Sequence, residues 1–426
     1  MAGGDAGAFA RYARAFREGR LDEPGFACAP VGRVHDSESN EGTVRKFTQS
    51  VGTASGEREA AGGKSAAFGI RDSAFGAAGG DTLAPLRVLP VAGAQGSSER
   101  DGSGAAALET ESVLIPMIGK RRTRTYTLCV SSQVGCAMGC TFCQTAQMGL
   151  IRSLSPAEIV QQWFAARHLV GRPDPDAPIS NIVFMGMGEP LDNLDAVLTA
   201  IEVLTDRRGP NVAMSRITIS TVGRIDGLAR LAEKAREPGW RRLGLAVSLN
   251  APNDEIRSAI MPINKAMPLA KLRPALEAWP LRPSGHMLIE YVLIPGVNDA
   301  PEHADMVASF MLGSAYAGAG GAAGTAGGAG VPRYAGPPLQ ALVNLIPYNP
   351  RERSPWRAPE DFEVDVFMAR LQGAGVYVKR RRTKGRDQMA ACGQLGNPAL
   401  RRRRHSEQRT ASRVERRAMS DEGGGG

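Results

Sequence analysis

Between residues 111 and 397 short apolar runs alternate with stretches of helical period. The runs fall at 126–130, 179–185, 217–221, 243–249, 287–294 and 341–346, with a shorter one at 376–378. Runs of this length, bounded by polar or turn-forming residues, read as strands. Between them, segments 156–170, 194–204, 228–235, 301–311 and 362–371 carry apolar residues at helical spacing. Strands alternating with helices of about 10–15 residues predict βαβ units on a parallel sheet. Six or seven such units predict an α/β fold, an open partial (β/α)6 barrel. Chemistry in such folds gathers at the C-terminal ends of the strands.

Outside this core the pattern breaks down. Residues 1–110 read as a poorly ordered leader that keeps a remnant of an accessory region: a short helix over 7–20 and a strand-like fragment over 43–48. Gly, Ala and Ser then dominate from about residue 51 to 107, a composition that buries little apolar surface. A Gly/Ala stretch within 314–331 reads as a flexible insertion, and residues 398–426 as a basic, disordered tail.

Composition narrows the function classes. A net charge of +9 is compatible with a polyanionic partner, while 5% aromatics argues against a base-stacking platform. No apolar run is long enough to cross a membrane. Residues 1–30 lack an apolar core and contain Asp5, Glu18, Asp22 and Glu23, unlike a secretory signal. Soft, oxidisable cysteines then point to a reducing cytoplasm or an equivalent organelle interior.

Four of the six cysteines lie within fifteen residues, Cys129, Cys136, Cys140 and Cys143. Disulfides there would close short, strained loops. Zinc sites more often use two ligand pairs separated by a longer loop. The last three, spaced C-x3-C-x2-C, suit three corners of an iron–sulfur cubane, whose fourth iron stays open to a cofactor. This loop follows the first predicted core strand, and Phe142 beside the last ligand would shield a cluster from water.

The next strand ends in Met185-Gly186-Met187-Gly188-Glu189-Pro190, where glycines admit close backbone approach and a carboxylate could meet an ammonium group. Later strands end in Ser220-Thr221, Ser248-Leu249-Asn250 and Pro347-Tyr348-Asn349. Each alone reads as a cap or turn; together they form a polar ring at the barrel mouth. Cys392 stands about 250 residues beyond the cluster loop. Alone it reads as a small buried residue, as does Cys28. Among the basic runs at 120–124, 379–386 and 401–404, the second reads as a phosphate-backbone contact.

The segments CVSSQVGCAMGCTFCQTAQMG, FMGMGEPLDN, ISTVG, LAVSLNAPNDEIRSAIMPIN, YVLIPGVND, VNLIPYNP and AACGQL, spread over about residues 109–397, resemble the radical S-adenosylmethionine (SAM) adenine-C2 methyltransferases of 23S rRNA and tRNA, the RlmN family. The resemblance implies the radical SAM type of barrel and a 4Fe–4S cluster on Cys136, Cys140 and Cys143. It implies SAM contacts from Gly188, Glu189, Ser220, Ser248, Leu249, Asn250 and Asn349. Asn250 stands where many relatives carry His, and the family's compact N-terminal helical domain has no clear counterpart.

The implied reaction consumes two SAM molecules per turnover. One methylates the Cys392 thiolate, and the other, bound at the open iron and split by one electron, activates that methyl group. The methylene adds to carbon 2 of adenine, and the covalent adduct loses a proton and an electron. Glu111 matches the proton acceptor, with Glu109 the nearby alternative. Cys129 matches the partner that attacks the Cys392 sulfur, leaving a disulfide and freeing the base. Further implied partners are 23S rRNA, tRNA and an electron donor such as flavodoxin or ferredoxin, acting on a monomer. Rival readings are a carbon-8 adenine methyltransferase conferring antibiotic resistance, a radical SAM enzyme acting on protein or a small molecule, and a zinc-stabilised RNA-binding module.

Overall fold

A computed structural model of the chain describes residues 29–51, 108–119, 122–316, 331–351, 353–381 and 393–396. Ten strands form one sheet. In chain order they are β1 (Val31–Ser39), β2 (Gly42–Val51), β3 (Leu108–Ile118), β4 (Arg124–Cys129), β7 (Ile179–Phe184), β8 (Ile217–Thr221), β9 (Gly244–Ser248), β10 (Met287–Leu293), β11 (Ala341–Pro347) and β12 (Val378–Arg380). Strands β5 (Gln133–Gly135) and β6 (Leu150–Ser153) pair separately as a small antiparallel hairpin. From β4 to β12 every neighbouring pair in the large sheet is parallel. This is the barrel wall that the alternating pattern predicts.

The two faces of the sheet differ. One set of alternate positions is apolar: Phe47, Leu114, Leu128, Ile182, Ile217, Ile219, Leu245, Val247, Ile289, Tyr291, Val343 and Leu345 are each at most 2% exposed. Each such side chain contributes roughly 1.5–3 kcal/mol on burial. Helices pack over this face: α2 (Pro156–Phe164), α3 (Leu194–Thr205), α4 (Ile225–Arg236), α7 (Pro301–Leu312) and α8 (Asp361–Gly373), while a five-residue helix α1 (Gln144–Met148) lies in the cysteine loop. Ser155 caps α2 through a capping box with Glu158, and Pro156 opens its first turn. The helix expected over 156–170 continues beyond Phe164 as a π-helical turn, Ala165–Leu169.

Two features depart from the sequence reading. The crossover from β9 to β10 holds α5 (Asp254–Ile260) and α6 (Leu269–Glu277), neither of which the periodicity revealed. One is only seven residues long, and the other contains Pro274. Residues 29–51 are also not loose leader. They form a two-stranded β-hairpin that joins β3 antiparallel, so that β1, β2 and β3 together extend the sheet beyond β4. The fragment expected over 43–48 lies within β2. The helix expected over 7–20, the Gly/Ala stretch 317–330, the tail, Cys28 and Cys392 fall outside the described residues. Among the described residues no helix is long and apolar enough to cross a membrane.

Candidate functional site

The face opposite carries Ser220, Ser248 and Glu290 among apolar residues such as Val292 and Ile346, and at the C-terminal ends of β7 to β11 it opens into a cavity of about 1020 Å³, counting its open mouth. Cys136, Cys140 and Cys143 line one side; Gly188, Glu189, Ser220, Ser248, Asn250 and Asn349 line the rest. Nine of the residues singled out by sequence thus share one space.

The cysteine loop reaches the cavity through fixed backbone links. Val130 N–H bonds the Val183 carbonyl, Cys136 N–H the Gly149 carbonyl, and Thr141 N–H the Ile260 carbonyl. Cys143 is the N-cap of α1. Burial is the largest influence on all three thiols. It pushes Cys136 up to about 12 and raises Cys140 and Cys143, and the thiolates of Cys136 and Cys140 are opposed further by their neighbours. Three buried soft donors that resist ionisation suit a multivalent metal group, whose positive charge favours the thiolates. Among the described residues no three His, Cys, Asp or Glu side chains converge as they would on a single ion. The thiols therefore share a cavity rather than a point.

Glu189 is buried, and its carboxylate is aimed by two backbone donors, Leu191 N–H at 3.1 Å on Oε1 and Val222 N–H at 2.9 Å on Oε2. Burial pushes it up to about 7, against those hydrogen bonds and that of Thr221. A cationic ligand group would favour the charged form. The glycines beside it serve packing. A Cβ on Gly186 would lie 2.6 Å from Ser131 Oγ, and one on Gly188, at φ +101°, would lie 2.5 Å from Gln133 Cβ. They let the β7 loop sit directly on the cysteine loop, a closer reason for glycine than ligand approach.

Ser220 Oγ donates to Glu290 Oε2 at 3.0 Å. Glu290 lies on β10, lines the cavity and was missed by the sequence reading; a carboxylate inside the apolar run Met287–Leu293 was the available signal. Its Oε1 makes no hydrogen bond among the described residues and faces Arg381 Nη1 at 3.8 Å. Buried Asn349 Oδ1 is likewise without a hydrogen-bond donor. Both acceptors would be satisfied by hydroxyl or amino donors of a ligand. Asn250 is partly structural: at φ +56° it accepts Val292 N–H on Oδ1. Leu249 does not line the cavity. It is 1% exposed, its N–H goes to the Glu290 carbonyl, and its own carbonyl accepts Arg257 Nε. The Arg257 guanidinium also bonds the Val222 and Ser248 carbonyls, clamping the ends of β8 and β9 together.

The segment just after Cys392 meets this site. Gln144 N–H bonds the Gly393 carbonyl at 2.7 Å, Thr145 Oγ1 the Leu395 carbonyl at 2.5 Å, and Gln394 Nε2 the Pro350 carbonyl at 3.0 Å. Gly393 and Leu395 line the cavity beside the cysteines. Gly396 N–H reaches Glu111 Oε2 at 2.8 Å. Glu111 is buried on β3, whereas Glu109 is tied to the more exposed Arg33. Cys129 is buried at the end of β4 without lining the cavity, and no disulfide joins any two described cysteines. In the basic run read as a phosphate contact, Arg380 instead pairs with Asp361 and Asp365, and Arg381 turns towards Glu290. Residues 382–386 of that run lie outside the described residues.

Known proteins share this plan. Residues 130–307 match the model of the radical SAM superfamily. The chain is 42% identical over 297 residues to a probable dual-specificity RNA methyltransferase RlmN 1 of Protochlamydia amoebophila, covering 70% of this chain and 72% of that one. It is 39% identical over 312 residues to a dual-specificity RNA methyltransferase RlmN of Phenylobacterium zucineum, covering 72% of each. A crystal structure of a radical SAM methyltransferase from Sphaerobacter thermophilus superposes with a TM-score of 0.59 at 29% identity, covering 86% of this chain and 81% of that one.

Proposed function

The chain belongs to the RlmN family of radical SAM RNA methyltransferases, and from that premise we propose that it methylates carbon 2 of adenosine in 23S rRNA and in tRNA, using Cys392 as the methyl carrier. The observation that carries this reading is the attachment of residues 393–395 to the cysteine loop at Gln144 and Thr145. A carrier thiol must present its methyl group where the cofactor is activated, and the residue that follows Cys392 lines that cavity.

Cys136, Cys140 and Cys143 would hold the 4Fe–4S cluster, with SAM at its open iron, and together these supply a one-electron route to an unactivated C–H bond. The protein's own groups do the rest. Glu189 fixes the ligand's ammonium group, while Glu290 and Asn349 offer unsatisfied acceptors to its hydroxyl and amino donors. Glu111 takes the proton released from adenine carbon 2. Cys129 then attacks the Cys392 sulfur: the S–S bond forms as the S–CH2 bond breaks, the released carbon keeps the electron pair and takes up a proton to become the methyl group, and thiol–disulfide exchange with a reducing dithiol restores both cysteines before the next turnover. Two SAM molecules per product, reduction by a small electron-transfer protein of the flavodoxin or ferredoxin kind, a monomeric state and a cytoplasmic setting complete the reading.

Anaerobic incubation of the iron-replete protein with SAM, a reductant and either 23S rRNA fragments or tRNA, followed by nucleoside analysis, tests it. The expected product is 2-methyladenosine, and none from Cys392→Ala. A methyl group on carbon 8 would select the resistance-type alternative. Full activity of Cys392→Ala would remove the carrier.

A further inference from the structure

The sheet register brings one further charged residue to this chemistry. Ser220, Ser248 and Glu290 line the cavity, and parallel pairing sets Ser220 beside Ala246 and Ser248 beside Glu290. Pairing Thr218 with Val183, Val183 with Cys129, and Cys129 with Val113 carries the same face across β7 and β4 onto β3. Glu111 lies two residues before Val113, and Lys46 on β2 lies opposite Val113. Side chains alternate with a period of two, so Lys46, Glu111 and Cys129 share the inward face. Lys46 and Glu111 are diagonal neighbours across the two strands, within reach of a long side chain.

We propose that Lys46 is a positioning residue for the Glu111 carboxylate, which makes the N-terminal hairpin part of the catalytic machinery. The inference rests on reading Glu111 as the proton acceptor. Lys46 Nζ stands 3.0 Å from Glu111 Oε2, and both side chains are 9% exposed. Gly396 N–H meets the same oxygen at 2.8 Å. One carboxylate oxygen is thereby fixed by donors from two distant parts of the chain. No described residue donates a hydrogen bond to Oε1, which leaves that oxygen to receive the proton from adenine carbon 2, the C–H electron pair staying with the ring. The outer rung of the same ladder makes the contrast. Glu109 pairs with Arg33, whose side chain is 52% exposed, so that pair is solvated where the inner one is enclosed. An enclosed carboxylate deprived of its ammonium partner loses both charge compensation and orientation.

The test compares Lys46→Met, Lys46→Arg and Glu111→Gln in single-turnover anaerobic reactions with an RNA substrate. Two readouts are followed: methylation of Cys392 by mass spectrometry, and covalent RNA–protein adduct on denaturing gels. Lys46→Met is expected to keep Cys392 methylation, accumulate adduct as Glu111→Gln does, and lower the single-turnover rate of product release roughly ten- to a hundredfold with little change in the RNA concentration that half-saturates it. Lys46→Arg should recover most of that loss. A merely structural role would lower adduct and product together and leave the Arg variant no better than Met. Wild-type turnover by Lys46→Met, or loss of activity without adduct, overturns the assignment of Lys46. Adduct-free, wild-type turnover by Glu111→Gln would instead overturn the reading of Glu111 beneath it.

Discussion

The parallel and antiparallel parts of this sheet populate the same inward face with different chemistry. At the mouth of the parallel part, β8 and β9 offer hydroxyls, Ser220 and Ser248, and Asn349 follows β11. On the antiparallel part the inward positions hold a fixed ion pair, Lys46 with Glu111. Hydroxyls and amides suit a ligand that must enter, bind and leave, because they are readily satisfied by its own donors and acceptors. An enclosed ion pair suits a group that must keep one orientation. On the proposed reading, the parallel wall would handle the cofactor and the extension a proton.

Breaking the cofactor side has the largest expected effect. Cys140→Ser should abolish the iron content that three thiolates support and reduce RNA methylation to background, read by iron analysis and nucleoside assay. Next is the carboxylate that faces the cofactor. Glu189→Gln removes a charge-assisted contact worth about 1.5–3 kcal/mol, a roughly ten- to hundredfold weaker SAM affinity by calorimetry. Its pH dependence has a definite sign. Burial holds Glu189 near 7, and the ionised form binds an ammonium group. Affinity should be full above that value and fall as the pH drops through it, whereas Glu189→Gln should flatten the profile.

The runs within 126–346 are legible as strands because each places apolar residues on the outer face of the sheet, as at Ile217, Ile219, Leu245 and Val247. The hairpin was hidden for a physical reason. β1 reads Val-Gly-Arg-Val-His-Asp-Ser-Glu-Ser, with most side chains outside the core, so it carries no apolar signature. β2 is separated from its partner β3 by more than fifty residues of chain. Pairing across such a distance leaves no local mark. Leu249, for which the resemblance implies a SAM contact, does not line the cavity, because its side chain turns into the core, and Glu290, beside Ser248 on the next strand, lines it instead.

Two smaller perturbations sharpen the comparison. Phe47 is fully buried on the outer face of β2, and Phe47→Ala should cost about 3–5 kcal/mol. A single cooperative melt shifted downward would show that the extension and the barrel share one core; two separate melts would divide them. The smallest effect belongs to Arg33→Ala. Its solvated pair with Glu109 is worth at most about 1 kcal/mol, and neither adduct level nor turnover should change. A loss of proton transfer there would mean that the outer rung matters as much as the inner.

Residues 46, 111 and 396 come from three widely spaced stretches of the polypeptide and converge on one oxygen atom. Synthesis proceeds from the amino end, so a nascent chain carries the cysteine loop and strands β1 to β11 before Gly396 emerges from the ribosome. An unfinished translation product therefore carries Cys136, Cys140, Cys143 and the Lys46–Glu111 pair without the second donor to that oxygen, which arrives only with the last described stretch of the core.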